Sequence, residues 1–299
     1  MSATRASRSE VTNLSAIAIL KEKVLVMRSR FGSTLVLAVT FLSISSSSLL
    51  NSQPTRKREL TVFAAASLTE AFQSLGKSFE SAHPSIKLIY NFGGSQQLVR
   101  QIIQGADADV FASADMKQMN FGVTAGVIDT DFIRIFARNE LVIILPSQNP
   151  AHLNALKDLA QTNIKIVLAD PSVPVGQYSV KFLDRCSSAR ELGEAYKADV
   201  LRNVVSYEEN VRAVLSKVQL GECDAGIVYT SDIAHDTLHK VLRIDIPDSL
   251  NIIAEYPIAV VHGSRSPQTA REFLDYILSD EGVRVMASFG FAGVIPLHR

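Results

Sequence analysis

Cysteine is scarce in this chain of 299 residues: there are two, Cys186 and Cys223. Neither has a histidine or a second cysteine at metal-ligand spacing, so no thiolate metal site is indicated. An even pair in an exported protein forms a disulfide or stands as two buried thiols, and the sequence leaves both open. Aromatic residues make up only 7% and no basic run interrupts the body, which argues against a nucleic-acid surface. Net charge is also absent, with 30 Lys+Arg against 30 Asp+Glu. No Gly-x-Ser-x-Gly elbow surrounds Ser67 or Ser95, so a nucleophile turn of the hydrolase kind is missing. The body carries no internal repeat and no low-complexity segment.

The charge balance is uneven along the chain. Residues 1–51 hold six basic and two acidic side chains, leaving 24 basic against 28 acidic in the rest, a net −4. The leader reads as an export signal: Arg28 and Arg30 are its positive region, and Leu35-Val-Leu-Ala-Val-Thr-Phe-Leu42 its short apolar core. A serine-rich stretch follows, and the whole is too short and too serine-diluted for a comfortable membrane span. An uncleaved anchor is the alternative. Residues 1–26 precede the positive region, which makes Met27 a candidate true start. No cysteine follows the apolar core, so a lipid anchor is not indicated. The expected organisation is leader over 1–51, linker over 52–59, and a body from 60 onward.

With 47% hydrophobic residues, the body can bury a large core or two smaller ones. Apolar runs predict strands over 60–65, 86–92, 109–112, 139–145, 164–168, 204–205, 225–229, 242–246 and 252–261. Helical periodicity predicts helices over 68–81, 96–104, 116–124, 178–185, 210–219, 266–278 and 281–289. This alternation predicts an α/β fold with sheets covered on both faces. About 240 residues exceed one comfortable doubly wound unit, so two lobes are expected.

Ser67 and Ser95 are the most informative residues. Each follows a strand-like run and small residues, Ala64-Ala-Ala in one case and Gly93-Gly94 in the other, and each precedes a helix. Helix N-termini carry unpaired N–H groups and the positive dipole end, which favour an anion. Either serine alone reads as an ordinary cap; two such junctions suggest a pocket of neutral donors. In Asp170-Pro-Ser-Val-Pro-Val-Gly-Gln-Tyr178, Pro174 stiffens the loop, Gly176 lets the backbone approach a ligand, and the Val175 N–H is a candidate donor. Asn210 is a candidate cap that leaves the Val211 N–H near an exposed helix end. Tyr229 ends a strand with a phenol able to donate to an oxyanion.

The segments Ala64-Ala-Ala-Ser67-Leu68, Gly105-Ala-Asp-Ala-Asp109-Val-Phe-Ala-Ser-Ala-Asp115, Asp170 to Tyr178, Glu209-Asn-Val211-Arg212 and Gly226-Ile-Val-Tyr229-Thr-Ser-Asp232 resemble, in order, the periplasmic molybdate-binding proteins of ABC transporters. The resemblance spans residues 60–299. It implies a two-lobed periplasmic solute-binding fold, each lobe a sheet flanked by helices, with the ligand in the interlobe cleft. The implied lobes are 60–140 plus 258–299, and 141–257. It implies molybdate, and tungstate with it, held as a tetrahedral oxyanion by Ser67, Ser95, Val175, Val211 and Tyr229. There would be no cofactor, no direct protein–metal ligand and no catalysis. The implied partners are a membrane permease with its cytoplasmic ATPase, and the implied protein is a periplasmic monomer. Two departures from the family pattern are the Gly-Gly before Ser95 and the bulk of Val175. Glu208 and Glu209 stand close to Val211, yet no carboxylate occupies a matched position.

Two other readings compete. A receptor for another oxyanion such as sulfate would use the same donors. A serine-dependent hydrolase would need a histidine beside Ser67. His235 and His239 have helical spacing with Asp232 and Asp236 nearby, and their alternatives are a metal site or a solvated helix face.

Overall fold

The computed structural model describes residues 57–233 and 240–293, within one compact unit spanning Arg56–Arg299. The leader, residues 52–56 of the linker, the His235/His239 pair and His298 lie outside the described residues.

The first part alternates β1 (Arg58–Ala65), α1 (Thr69–Ala82), β2 (Ile86–Gly93), α2 (Ser95–Ile103), β3 (Val110–Ala112) and α3 (Met116–Thr124). The long β4 (Arg134–Pro146) leads to β5 (Ile166–Ala169), α4 (Pro174–Ser188), α5 (Tyr196–Arg202), β6 (Val204–Glu208), α6 (Val211–Gln219) and β7 (Ala225–Tyr229). Then come β8 (Val241–Asp245), β9 (Ile253–Val260), α7 (Pro267–Leu278), α8 (Asp280–Ser288) and the short β10 (Ala292–Gly293).

The strands run in the order β2-β1-β3-β9-β4-β7-β5-β6, with β8 and β10 also on β4. Pairing is parallel within β2-β1-β3 and within β7-β5-β6, and antiparallel where β9 and β4 join the two groups. The strand β4 belongs to both groups. Its residues 134–140 pair with β9, and its residues 141–146 pair with β7 and β8. Helices cover both faces, as the alternation predicts. One apolar cluster holds Phe72, Phe79, Phe136, Tyr256 and Phe273, and continues through Val167, Phe182 and Val214 beneath β5 and β7. A second, under α2 and α3, holds Phe63, Leu98, Phe111 and Met119.

Most elements lie where the sequence puts them, and four differences have physical reasons. First, β1 begins at Arg58, because Arg58 and Glu59 pair with Ile86 and Lys87 although their side chains are polar. Second, β4 begins five residues before 139: a bulge between Ile135 and Ala137 breaks the alternation that would have revealed it. Third, α4 starts at Pro174 rather than at 178, since the first helical position needs no N–H and suits proline. Fourth, α5 is a short helix burying only Tyr196 and Val200, too few positions to show a period.

Both cysteines are free and buried. Burial pushes the Cys186 thiol up to about 12 and raises Cys223 as well. Thiolate, the reactive form, is therefore scarce. In the native protein both thiols are expected to resist a disulfide reagent that labels two per chain once the protein is denatured. Rapid native labelling would contradict this.

Candidate functional site

Four strand-to-helix junctions and the end of β7 converge on one small cavity, lined by Ser67, Ser95, Val175, Val211 and Tyr229 together with small neighbours such as Ala66 and Gly94. It is small, about 20 Å³, room for about one water-sized group. Among the described residues, no charged side chain lines it.

Ser67 sits in the 3₁₀ turn Ala66–Leu68 between β1 and α1 and is 4% exposed. Its hydroxyl does not cap the helix. It is bonded instead to the Tyr256 hydroxyl of β9 at 3.0 Å. Ser95 is the first residue of α2 and is 1% exposed. Its oxygen accepts the Ala114 N–H at 3.1 Å rather than an N–H of its own helix. The ordinary capping explanation thus fails for both serines.

Val175 is the second residue of α4, after Pro174. A Cβ on Gly176 would stand 2.1 Å from the Asp170 carbonyl oxygen, so only glycine lets this helix start so close to the end of β5. Val211 opens α6, and Asn210 caps it as expected, accepting the Ala213 N–H at 3.0 Å. The cap serves the third N–H and leaves those of Val211 and Arg212 without an intrahelical acceptor.

Tyr229 is 1% exposed, and its hydroxyl is buried with no hydrogen-bond partner. Burial, with the neighbouring Tyr256 and Tyr178 hydroxyls adding to it, raises the phenol well above its ordinary range. It therefore remains an O–H donor. A buried unsatisfied hydroxyl is costly, and this one lines the cavity.

The carboxylates next to Val211 in sequence are engaged elsewhere. Glu208 pairs with Lys217 at 2.6 Å, and Glu209 accepts from the Gln97 amide at 2.9 Å. The Glu209 carbonyl accepts from Gln96 at 2.9 Å. Gln118 reaches the Ser172 carbonyl at 3.3 Å, and Arg212 bonds the Ala66 carbonyl at 3.3 Å and pairs with Glu70. These bonds close the surroundings of the cavity, joining residues 66–118 to residues 172–212.

Behind Tyr229, Asp232 accepts the Tyr229 N–H at 3.0 Å and faces the Arg212 guanidinium at 3.5 Å. Burial pushes its carboxyl up from 3.8 to about 6, outweighing the pull of Arg212 and of that N–H. The folded value exceeds the unfolded one, so ionising Asp232 opposes folding as pH rises from about 4 to about 6. Asp232→Asn removes this loss, so the stability of the variant relative to wild type is expected to grow across that window. Denaturant unfolding at several pH values checks it, and a constant difference would refute it.

Two residues absent from the sequence-based set belong to this site through their contacts. Tyr256 holds Ser67, and Asn139 of β4 holds Tyr256 at 3.4 Å. No local pattern announces them, because the strands bring them together across 189 and 117 residues of chain. Among the described residues that line the cavity there is no histidine beside Ser67. Among the described residues no cluster of His, Cys, Asp or Glu could hold a metal. A larger open cavity of about 580 Å³, lined by Arg138, Glu140, Tyr178 and Glu255 among others, mixes both signs of charge and lacks such converging helix ends.

A family profile described as bacterial extracellular solute-binding protein matches residues 60–292. The chain is 36% identical over 235 residues to the molybdate-binding protein ModA of Mycobacterium tuberculosis, covering 79% of this chain and 85% of that protein. Among solved structures, the substrate-binding domain of a putative molybdenum ABC transporter from Clostridium difficile is 29% identical. It covers 80% of this chain and 100% of that one, with a TM-score of 0.60. The sulfate-binding protein SubI of Mycobacterium tuberculosis has a TM-score of 0.72 at 19% identity, covering 80% and 88%, a likeness of fold alone.

Proposed function

The chain belongs to the bacterial extracellular solute-binding proteins, and on that premise we propose that it binds molybdate, and tungstate with it, as the capture component of an ABC importer. The Ser67, Ser95 and Tyr229 hydroxyls and the N–H groups of Val175 and Val211 would hold the anion. No cofactor and no protein–metal bond is involved. The observation that carries this reading is the convergence of uncharged donors from four helix starts and one strand end on a single cavity, with the Tyr229 hydroxyl buried and unpartnered.

A doubly charged tetrahedron needs no counterion in such a shell. Each hydrogen bond to charge contributes about 1.5–3 kcal/mol, and fixed helix ends need no reorganisation. Rigid donors also select by size, and molybdate and tungstate are larger than sulfate. Two lobes, 60–140 plus 258–299 and 141–257, would close on the anion and present a joint surface to a membrane permease with its cytoplasmic ATPase. The working protein is then a periplasmic monomer.

Titration calorimetry with molybdate, tungstate, sulfate and phosphate tests the reading. Molybdate and tungstate are expected to bind tightly, sulfate weakly and phosphate least. Equal affinity for sulfate and molybdate would remove the size argument and leave a receptor for tetrahedral oxyanions that include sulfate.

A further inference from the structure

We propose that Asn139 and Tyr256 fix the direction of the Ser67 proton and thereby make this chain reject oxyanions that carry a proton of their own; the proposal rests on the oxyanion reading above.

The chain of reasoning starts at a group that can only donate. The Glu140 N–H lies 3.0 Å from one side-chain atom of Asn139, which must therefore be its carbonyl oxygen. The same oxygen accepts the Thr230 hydroxyl at 2.8 Å. The amide nitrogen then faces the other way, donating to Ser231 Oγ at 2.7 Å and to Tyr256 Oη at 3.4 Å. Tyr256 is fully buried. Having received the amide proton, it has one acceptor among the described residues for its own, Ser67 Oγ at 3.0 Å. Ser67 therefore accepts from Tyr256, and its remaining proton points to the cavity it lines.

Ser95 reaches the same state by a shorter route, accepting the Ala114 N–H at 3.1 Å and keeping its proton for the cavity. A fully deprotonated tetrahedron meets donors only. A protonated ligand oxygen facing Ser67 would place two hydrogens between two oxygens, which is repulsive. Asn139 and Tyr256 touch no ligand in this arrangement; they are positioning residues acting through Ser67.

Tyr256→Phe frees the Ser67 hydroxyl to rotate and accept. At mildly alkaline pH, where phosphate is a dianion that keeps one proton, the variant is expected to narrow the molybdate-to-phosphate affinity ratio by about tenfold or more. In a Ser67→Ala background the same substitution should change the ratio no further, which a merely structural role of Tyr256 would not produce. Asn139→Asp keeps the acceptor for Glu140 and Thr230 but turns the donor into an acceptor. It reverses the relay and should weaken molybdate binding by tenfold or more. An unchanged ratio in folded Tyr256→Phe, or unchanged molybdate affinity in folded Asn139→Asp, overturns the proposal. Should neither variant fold, neutron diffraction on the wild type decides: a Tyr256 deuteron aimed at Ser67 supports the relay, and a Ser67 deuteron aimed at Tyr256 overturns it. A wild type that binds none of the anions removes the oxyanion reading itself, whereas molybdate binding with an unaltered ratio removes only the role given to Asn139 and Tyr256.

Discussion

Val211→Pro is expected to weaken molybdate binding by about tenfold to a hundredfold while leaving the unliganded fold intact. Backbone donors are hard to test, because side-chain substitution leaves them in place. Val211 is an exception. It is the first residue of α6, where proline is well tolerated, and Asn210 before it is already extended at φ −161° and ψ 167°. The substitution thus deletes one N–H and little else. If that N–H holds the anion, the loss is one hydrogen bond to charge, about 1.5–3 kcal/mol. Val211 is 4% exposed, so trimming it also costs packing, on the order of 1 kcal/mol of stability. Val211→Ala separates the two effects, since it trims the side chain and keeps the donor. Calorimetry on both variants decides the matter: equal affinities for proline and alanine would remove Val211 from the shell.

Gly94→Ala is expected to raise the molybdate dissociation constant by tenfold or more, with little change in the thermal stability of the ligand-free protein. A Cβ on Gly94 would lie 2.6 Å from the Glu209 carbonyl oxygen and 2.5 Å from the Gln96 amide nitrogen, which is itself bonded to that carbonyl. The Gln96 amide can swing aside, but the Glu209 carbonyl is backbone, so a rotamer change alone does not relieve the strain. Overpacking of this kind costs about 1–3 kcal/mol. On the two-lobed reading, the cost would fall on the arrangement in which Ser95 and Val211 share one cavity, and not on either side taken alone. Calorimetry and a melting curve on the variant measure the two quantities. Undiminished affinity would mean that the approach of Gly94 to Glu209 is unnecessary for binding.

Part of this site was open to a reader of the sequence. The junctions at Ser67 and Ser95 announce themselves because an apolar run ends in small residues before a helical period starts. Asn210 is legible as a cap because Asn before an amphipathic run has one common use, and the structure gives it that use. The rest was hidden for physical reasons. Pro174 resembles a loop residue until the helix is known to begin there. The first half of β4 is masked by its own bulge. Tyr256 and Asn139 look like ordinary strand residues, since what they do depends on which strand lies alongside, a property of the assembled sheet and not of any window of sequence. Residue type alone would have made the serines helix caps, and their oxygens are used otherwise.

The thirteen residues of β4 run unbroken from one group of strands into the other, with Leu141 taking up its pairing to Tyr229 where the pairing of Glu140 to Ile253 ends. A flexible joint would let the two groups drift independently. A hydrogen-bonded ribbon resists this like a torsion bar: on the two-lobed reading, a parting of the two strand groups would be taken up as added twist along several peptide units and returned when the load is removed. The resting separation of the two groups would then be an elastic property of one strand, adjustable by the stiffness of residues outside the proposed site.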